Sequence, residues 1–197
     1  MTVRDTKHNL FEGKLNITGD EVLLTDPCYS LDTWCTAKVV LPKGTYNCYS
    51  RTYEGRISSI FLLEENFDSK GELYLVDIDN PIEDLGVDSG QLGIFNLDKY
   101  RKAVSKEVFD KSLEGDFPSE SWKNDWNENK SDEDKFYDCC CNYTLQKGQC
   151  GIIEDVGFVS SSGWGDGSYT AFYLTDFNEN KVGIQVIFID EDEELEN

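Results

Sequence analysis

Three aspartates stand where a strand ends or where glycines kink the chain. They are Asp26 in Thr25-Asp26-Pro27-Cys28-Tyr29, Asp88 in Gly86-Val87-Asp88-Ser89-Gly90, and Asp166 in Gly163-Trp164-Gly165-Asp166-Gly167-Ser168. If the three ends converge, Asp26, Asp88 and Asp166 offer oxygen ligands to a hard divalent cation, Mg²⁺ or Ca²⁺. Ser89 and Ser168 lie next to that chemistry, with Trp164 as a lid over it. The same residues have a plainer use. An aspartate in a glycine-framed turn accepts from nearby backbone N–H groups and caps its own turn. The first reading places segment 87–90 beside loop 163–169. The second leaves each aspartate in its own turn.

Other chemistries find fewer residues. Ser89 or Ser168 as a nucleophile needs a base, and the only histidine, His8, falls in a loose N-terminal segment outside any triad arrangement. Cys28 beside Asp26 is a candidate thiol nucleophile, again without a histidine nearby in sequence. There is no P-loop, no dinucleotide fingerprint and no His-Glu-x-x-His. The seven cysteines include no Cys-x-x-Cys pair, and consecutive Cys139, Cys140 and Cys141 cannot all face one metal. An odd count in a chain whose first residues, MTVRDTKHNLFEGKL, hold no apolar h-region predicts reduced thiols and a cytoplasmic location. No stretch approaches the ~18 apolar residues of a membrane-spanning helix.

The charge balance excludes more than the motifs do. With 39 acidic and 18 basic residues the formal charge is −21. Such a surface lacks the cations that displace counterions from phosphate, so direct nucleic-acid binding is not expected. An anionic membrane surface is excluded on the same ground. Basic protein partners and divalent cations are favoured.

Apolar periodicity then supplies the elements. Strand patterns cover 15–17, 21–25, 37–41, 45–51, 56–64 and 72–78. Pro42-Lys43-Gly44 reads as the turn of a hairpin, and 66–71 as a polar loop joining the next pair. Residues 31–36 read as one helical turn with Trp34 and Cys35 inward. Residues 86–95 read as one strand interrupted by glycines. Helical patterns follow: one from Asp98 to about Leu113, a short one with Trp122 and Trp126 on one face, and one capped by Ser131. On the last, Phe136, Cys139, Cys140 and Tyr143 fall at the spacing of a buried stripe. Two strands flank the Gly-Asp-Gly loop within 151–176, and 181–190 is a further strand, apolar on both faces. The tail, 190–197, is acidic. The expected architecture is one domain, 1–197, of α+β class: a mostly antiparallel sheet of about nine short strands with a helical insertion near 97–147.

Three motifs in this order, Thr25-Asp26-Pro27-Cys28-Tyr29, Val87-Asp88-Ser89-Gly90-Gln91-Leu92-Gly93-Ile94-Phe95 and Ser161-Ser162-Gly163-Trp164-Gly165-Asp166-Gly167-Ser168-Tyr169, resemble a family of bacterial and phage proteins. That family is known as a domain of unknown function with a C-terminal Gly-Asp-Gly motif. Phe136-Tyr137-Asp138-Cys139-Cys140 fits the same pattern, and the likeness spans about 20–190. It implies a bacterial or phage origin and carries no activity with it. Two function classes follow from the residues. One is an acidic interaction protein that meets a basic partner, such as a host nucleic-acid-binding factor or a defence complex, in place of nucleic acid. The other is a small metal-dependent enzyme or ligand-binding protein with a carboxylate site at Asp88 and Asp166.

Overall fold

The structure is a computed structural model that describes residues 2–4, by their backbone alone, and 9–190. His8 and the acidic tail beyond Asp190 lie outside the described residues. The strands in chain order are β1 (Thr2–Arg4), β2 (Leu10–Ile17), β3 (Glu21–Thr25), β4 (Ala37–Val40), β5 (Gly44–Tyr53), β6 (Arg56–Glu64), β7 (Tyr74–Val76), β8 (Ile82–Val87), β9 (Gln91–Asn96), β10 (Cys150–Ile153), β11 (Gly157–Ser161), β12 (Gly167–Thr175) and β13 (Lys181–Ile187). The helices are α1 (Glu65–Asp68), α2 (Lys106–Lys111) and α3 (Asp132–Thr144), with a short 3₁₀ turn at Glu120–Trp122.

These strands form two antiparallel sheets. The larger runs β1-β7-β12-β13-β6-β5-β2, with β8 also pairing with β12; the smaller runs β10-β11-β9-β3-β4. Period-2 burial explains the layering. Leu15, Ile17, Tyr46, Cys48, Ile60, Leu62, Ile184 and Val186 of the large sheet share one core with Val22, Leu24, Leu92, Ile94 and Phe158 of the small one. The opposite face of the small sheet shows Leu23, Phe95, Ile153 and Val159, covered by Tyr100, Phe109, Phe136, Cys139 and Cys140. The α3 stripe read from spacing therefore packs where a helix-covered sheet needs it. Ser131 caps that helix by accepting from the Asp134 N–H at 3.1 Å.

The expected α+β class does not stand. Strands make up 42% and helices 14%, so the fold is a mostly antiparallel β structure with helices as a cover. Two physical reasons account for the difference. The region 97–147 is mostly turns and extended chain: α2 is six residues long and starts at the Ser105 cap, not at Asp98. Trp122 closes the 3₁₀ turn while Trp126 lies outside any helix. The strand count rises because 86–95 is two strands in different sheets, broken at 88–90, where Gly90 takes φ 68°, and because the run before the Gly-Asp-Gly loop is two strands, β10 and β11, joined by a turn with Asp155 at φ 56°.

The hairpin readings also change. β4 pairs with β3 in the small sheet while β5 pairs with β2 and β6 in the large one, so Pro42-Lys43-Gly44 carries the chain between sheets. The true hairpin is β5–β6, turned by Glu54 (φ 50°) and Gly55 (φ 77°) between paired Tyr53 and Arg56. Residues 31–36 form turns; Cys35 is buried there but Trp34 is 85% exposed. Among the described residues no helix is long and apolar enough to cross a membrane.

Candidate functional site

The end of β3 places Asp26 under the β8–β9 connection. Its side chain is fully buried. One carboxylate oxygen accepts from the Cys28 N–H at 2.8 Å and the Ser89 hydroxyl at 2.6 Å. The other accepts from the Asp88 N–H at 2.9 Å and the Ser89 N–H at 2.7 Å. Asp26 is thus a clamp that ties the end of one strand to a turn more than sixty residues away. Its carbonyl oxygen is held too, by the Tyr100 hydroxyl at 3.1 Å.

The two glycine-rich segments do lie side by side. Gly167 pairs with Val87 and Ser168 with Gly86. Asp166 accepts from the Gly90 N–H at 3.0 Å, and the Ser162 N–H donates to the Gly90 carbonyl at 3.0 Å. Asp166 therefore satisfies a backbone donor of the other glycine-rich segment, and Asp26 satisfies two of 88–89, a use between the two readings drawn from sequence. Among the described residues no group of three or more His, Cys, Asp or Glu side chains is placed to hold a metal ion, so Asp26, Asp88 and Asp166 do not form a ligand set. Asp88 instead turns to the Tyr29 hydroxyl, whose pKa is raised by burial and then by that hydrogen bond.

Trp164 does not cover these carboxylates. Its ring stacks under the Arg56 guanidinium, 4.8 Å from the ring centre, and Arg56 also donates to the Gly163 carbonyl at 3.3 Å. Trp164 and Ser168 line a different feature, an open groove of ≈ 410 Å³ shared with Phe172 and Ile187.

The thiols are unsuited to nucleophilic work. All seven cysteines are free. Cys28 is pushed up to about 12, first by burial and then by the hydrogen bond and charge of Asp26. A thiol so raised stays protonated near neutral pH, and the thiolate is the reactive form, so Asp26 opposes the nucleophile it was paired with. Burial also pushes Cys139 and Tyr137 up to about 12. These folded values lie above the unfolded ones, 9.0 for a thiol. The stability linked to them is full below the unfolded value and is lost as pH climbs toward the folded one. The urea midpoint is therefore expected to hold steady up to pH ~9 and to fall above it; a midpoint that rises over that alkaline range contradicts the assignment.

Sequence reasoning missed a different group of acids. Residues 77–84, Asp77-Ile78-Asp79-Asn80-Pro81-Ile82-Glu83-Asp84, run along β12, where the Asp77 N–H donates to the Tyr173 carbonyl at 3.0 Å and Ile82 pairs with Ala171. Glu179 joins them from the β12–β13 turn, in a left-handed conformation (φ 66°). Asp77, Asp79, Glu83, Asp84 and Glu179 enter none of the ion pairs among the described residues. Many of the cations elsewhere are engaged, as in Lys14–Glu65, Arg101–Glu133, Lys111–Glu154 and Lys130–Asp138. The signal was present in sequence as four acids in eight positions without a base.

Comparison with protein-family models, with curated proteins and with solved structures finds no match to this chain. The likeness to the Gly-Asp-Gly family rests on the quoted motifs alone.

Proposed function

We propose that the chain is an intracellular acidic interaction protein that engages a basic protein through its negative surface. In a bacterial or phage setting the partner is a host nucleic-acid-binding factor or a defence complex, which the acidic surface meets in place of nucleic acid. The observation that carries this reading is the charge of −21 together with a cluster of acids that enters none of the ion pairs among the described residues. The alternative, a carboxylate site at Asp88 and Asp166, has less support, because Asp166 accepts from the Gly90 N–H while Asp88 meets the Tyr29 hydroxyl.

The reading predicts a strong salt dependence. Raising ionic strength from about 0.01 M to 0.15 M contracts the reach of surface charge from about 30 to 8 Å and is expected to weaken partner binding by about tenfold. Affinity capture from host lysate at the two ionic strengths, followed by titration of the recovered partner, measures it. A partner that is acidic, an affinity that ignores salt, or a direct shift of DNA in a gel contradicts the reading.

A further inference from the structure

The loop 162–166 is tied down from several sides. The Ser162 N–H donates to the Gly90 carbonyl at 3.0 Å, and Asp166 accepts from the Gly90 N–H at 3.0 Å. The Ser162 hydroxyl donates to the Gly165 carbonyl at 2.8 Å. The Tyr169 hydroxyl lies 2.7 Å from the Ser162 carbonyl and 2.6 Å from that of Gly165. Gly163, at φ 60°, packs so closely that a Cβ there would lie 2.9 Å from Ile189 and 3.0 Å from Phe188. What this fixed loop presents is the Trp164 ring, 52% exposed and steadied by Arg56. An aromatic side chain held out on a fixed loop has little freedom left to lose when it meets a ligand.

The ring lines the groove of ≈ 410 Å³ on the large sheet. That volume falls within the ~300–1,000 Å³ of small-molecule sites. Ser168, Thr170 and Phe172 line it from alternate positions of β12, on the face turned away from the core that Ala171 joins. Ile187 pairs with Thr170 beside them. The Ser168 and Thr170 hydroxyls and the Trp164 indole N–H enter no hydrogen bond among the described residues. The groove therefore offers an apolar floor, an aromatic platform and three unengaged, uncharged polar groups.

Charge and topology narrow the occupant. An anion meets a chain of charge −21. A cation meets the Arg56 guanidinium already at the ring. A peptide strand adds at a sheet edge, but β12 is paired with β13 on one side and β8 on the other, so the groove lies on a face. A pyranose is neutral, packs a C–H face on an aromatic ring, and carries hydroxyls that both donate and accept. We propose that this groove binds a neutral oligosaccharide, with Trp164 as the stacking platform and Ser168 and Thr170 as hydrogen-bonding groups. The site is separate from the surface that meets a basic partner and does not depend on it.

The test is two-dimensional NMR of the full chain during titration with maltotetraose, cellotetraose or chitotetraose, each to about 10 mM, with adenosine as a second neutral planar ligand. At least one tetrasaccharide is expected to give saturable shifts of the Trp164 indole N–H and of amides within 164–172 and 187–189. Trp164→Ala is expected to weaken that binding by at least about tenfold, and Trp164→Tyr, which keeps an aromatic face, by less than about threefold. Thr170→Val keeps the shape, removes the hydroxyl and is expected to weaken it about fivefold. Trp122→Ala, which removes a half-exposed indole from the helical cover, is expected to leave it unchanged. No saturable shift with any of the three tetrasaccharides, binding of adenosine alone, or undiminished binding by Trp164→Ala overturns the proposal.

Discussion

Asp26→Asn lowers the unfolding free energy by about 3–5 kcal/mol, although it changes one atom of a side chain and keeps its shape. Each oxygen of Asp26 faces two donors: Cys28 N–H and the Ser89 hydroxyl on one side, Asp88 N–H and Ser89 N–H on the other. An asparagine must turn its NH₂ toward one of these pairs. With the NH₂ toward Asp88 and Ser89, two backbone N–H groups confront another donor; with it toward Cys28, the Cys28 N–H loses its acceptor and the Ser89 hydroxyl must turn round to accept, all in a site sealed from water. A buried group left unsatisfied costs about 1–3 kcal/mol, and hydrogen bonds to a charged acceptor stand at the upper end of the scale. Domains of this kind are stable by about 5–15 kcal/mol, so the loss is a large fraction of the total. Urea unfolding followed by tryptophan fluorescence measures it. A loss under about 1 kcal/mol would mean that the clamp contributes little to stability.

Phe136→Ala is expected to cost a similar amount, about 3–5 kcal/mol, for a different reason. Phe136 is fully buried on α3, with its ring 5.5 Å from that of Phe95 and 5.3 Å from that of Tyr100. Phe95 belongs to β9, and Tyr100 follows it before α2. The three rings are therefore the joint between the small sheet and its helical cover, and truncation of the middle one leaves a cavity that edge-to-face neighbours cannot close. If the cover were only loosely applied, the α3 helix would detach and the midpoint would hardly move. The expected result is a single cooperative transition at lower urea, with far-ultraviolet and near-ultraviolet signals lost together.

Much of the element list was legible in the sequence, and the pairing was not. Glu21–Thr25 and Arg56–Glu64 have the bounds that their apolar runs imply. The Ser131 cap and the Phe136, Cys139, Cys140 stripe were legible for the same reason, because capping and helical spacing are local properties. Pairing is decided by distant residues. Pro42-Lys43-Gly44 looks like any hairpin turn, yet the strands on its two sides join different sheets, and no local feature of those three residues records that. The division of 86–95 into β8 and β9 was written in Asp88-Ser89-Gly90, but it takes the buried Asp26 carboxylate, received across sixty residues of chain, to hold that turn.

The same distinction applies to the candidate site. Asp26, Ser89 and Asp166 were singled out from glycine and turn context, and the structure does bring their segments together. What the context could not convey is the direction of each carboxylate. Asp26 points at backbone N–H groups, which any strand-end aspartate can do, and Trp164 is drawn to Arg56 across the β5–β6 hairpin. The acids of 77–84, which enter no ion pair among the described residues, stood in the sequence as four acids in eight positions without a base. That the described lysines and arginines form their ion pairs with other acids depends on where the rest of the chain places them.

We propose the acidic end of the large sheet, not the aspartate clamp, as the interacting surface. Two-dimensional amide NMR during addition of a ten-residue peptide of alternating lysine and glycine at low ionic strength decides it. The predicted result is a saturable set of shifts confined to 77–84 and 173–181, abolished by salt, with the amides of Asp26, Asp88, Ser89 and Gly90 unmoved. Shifts centred on those four residues, or none anywhere in the chain, would contradict it.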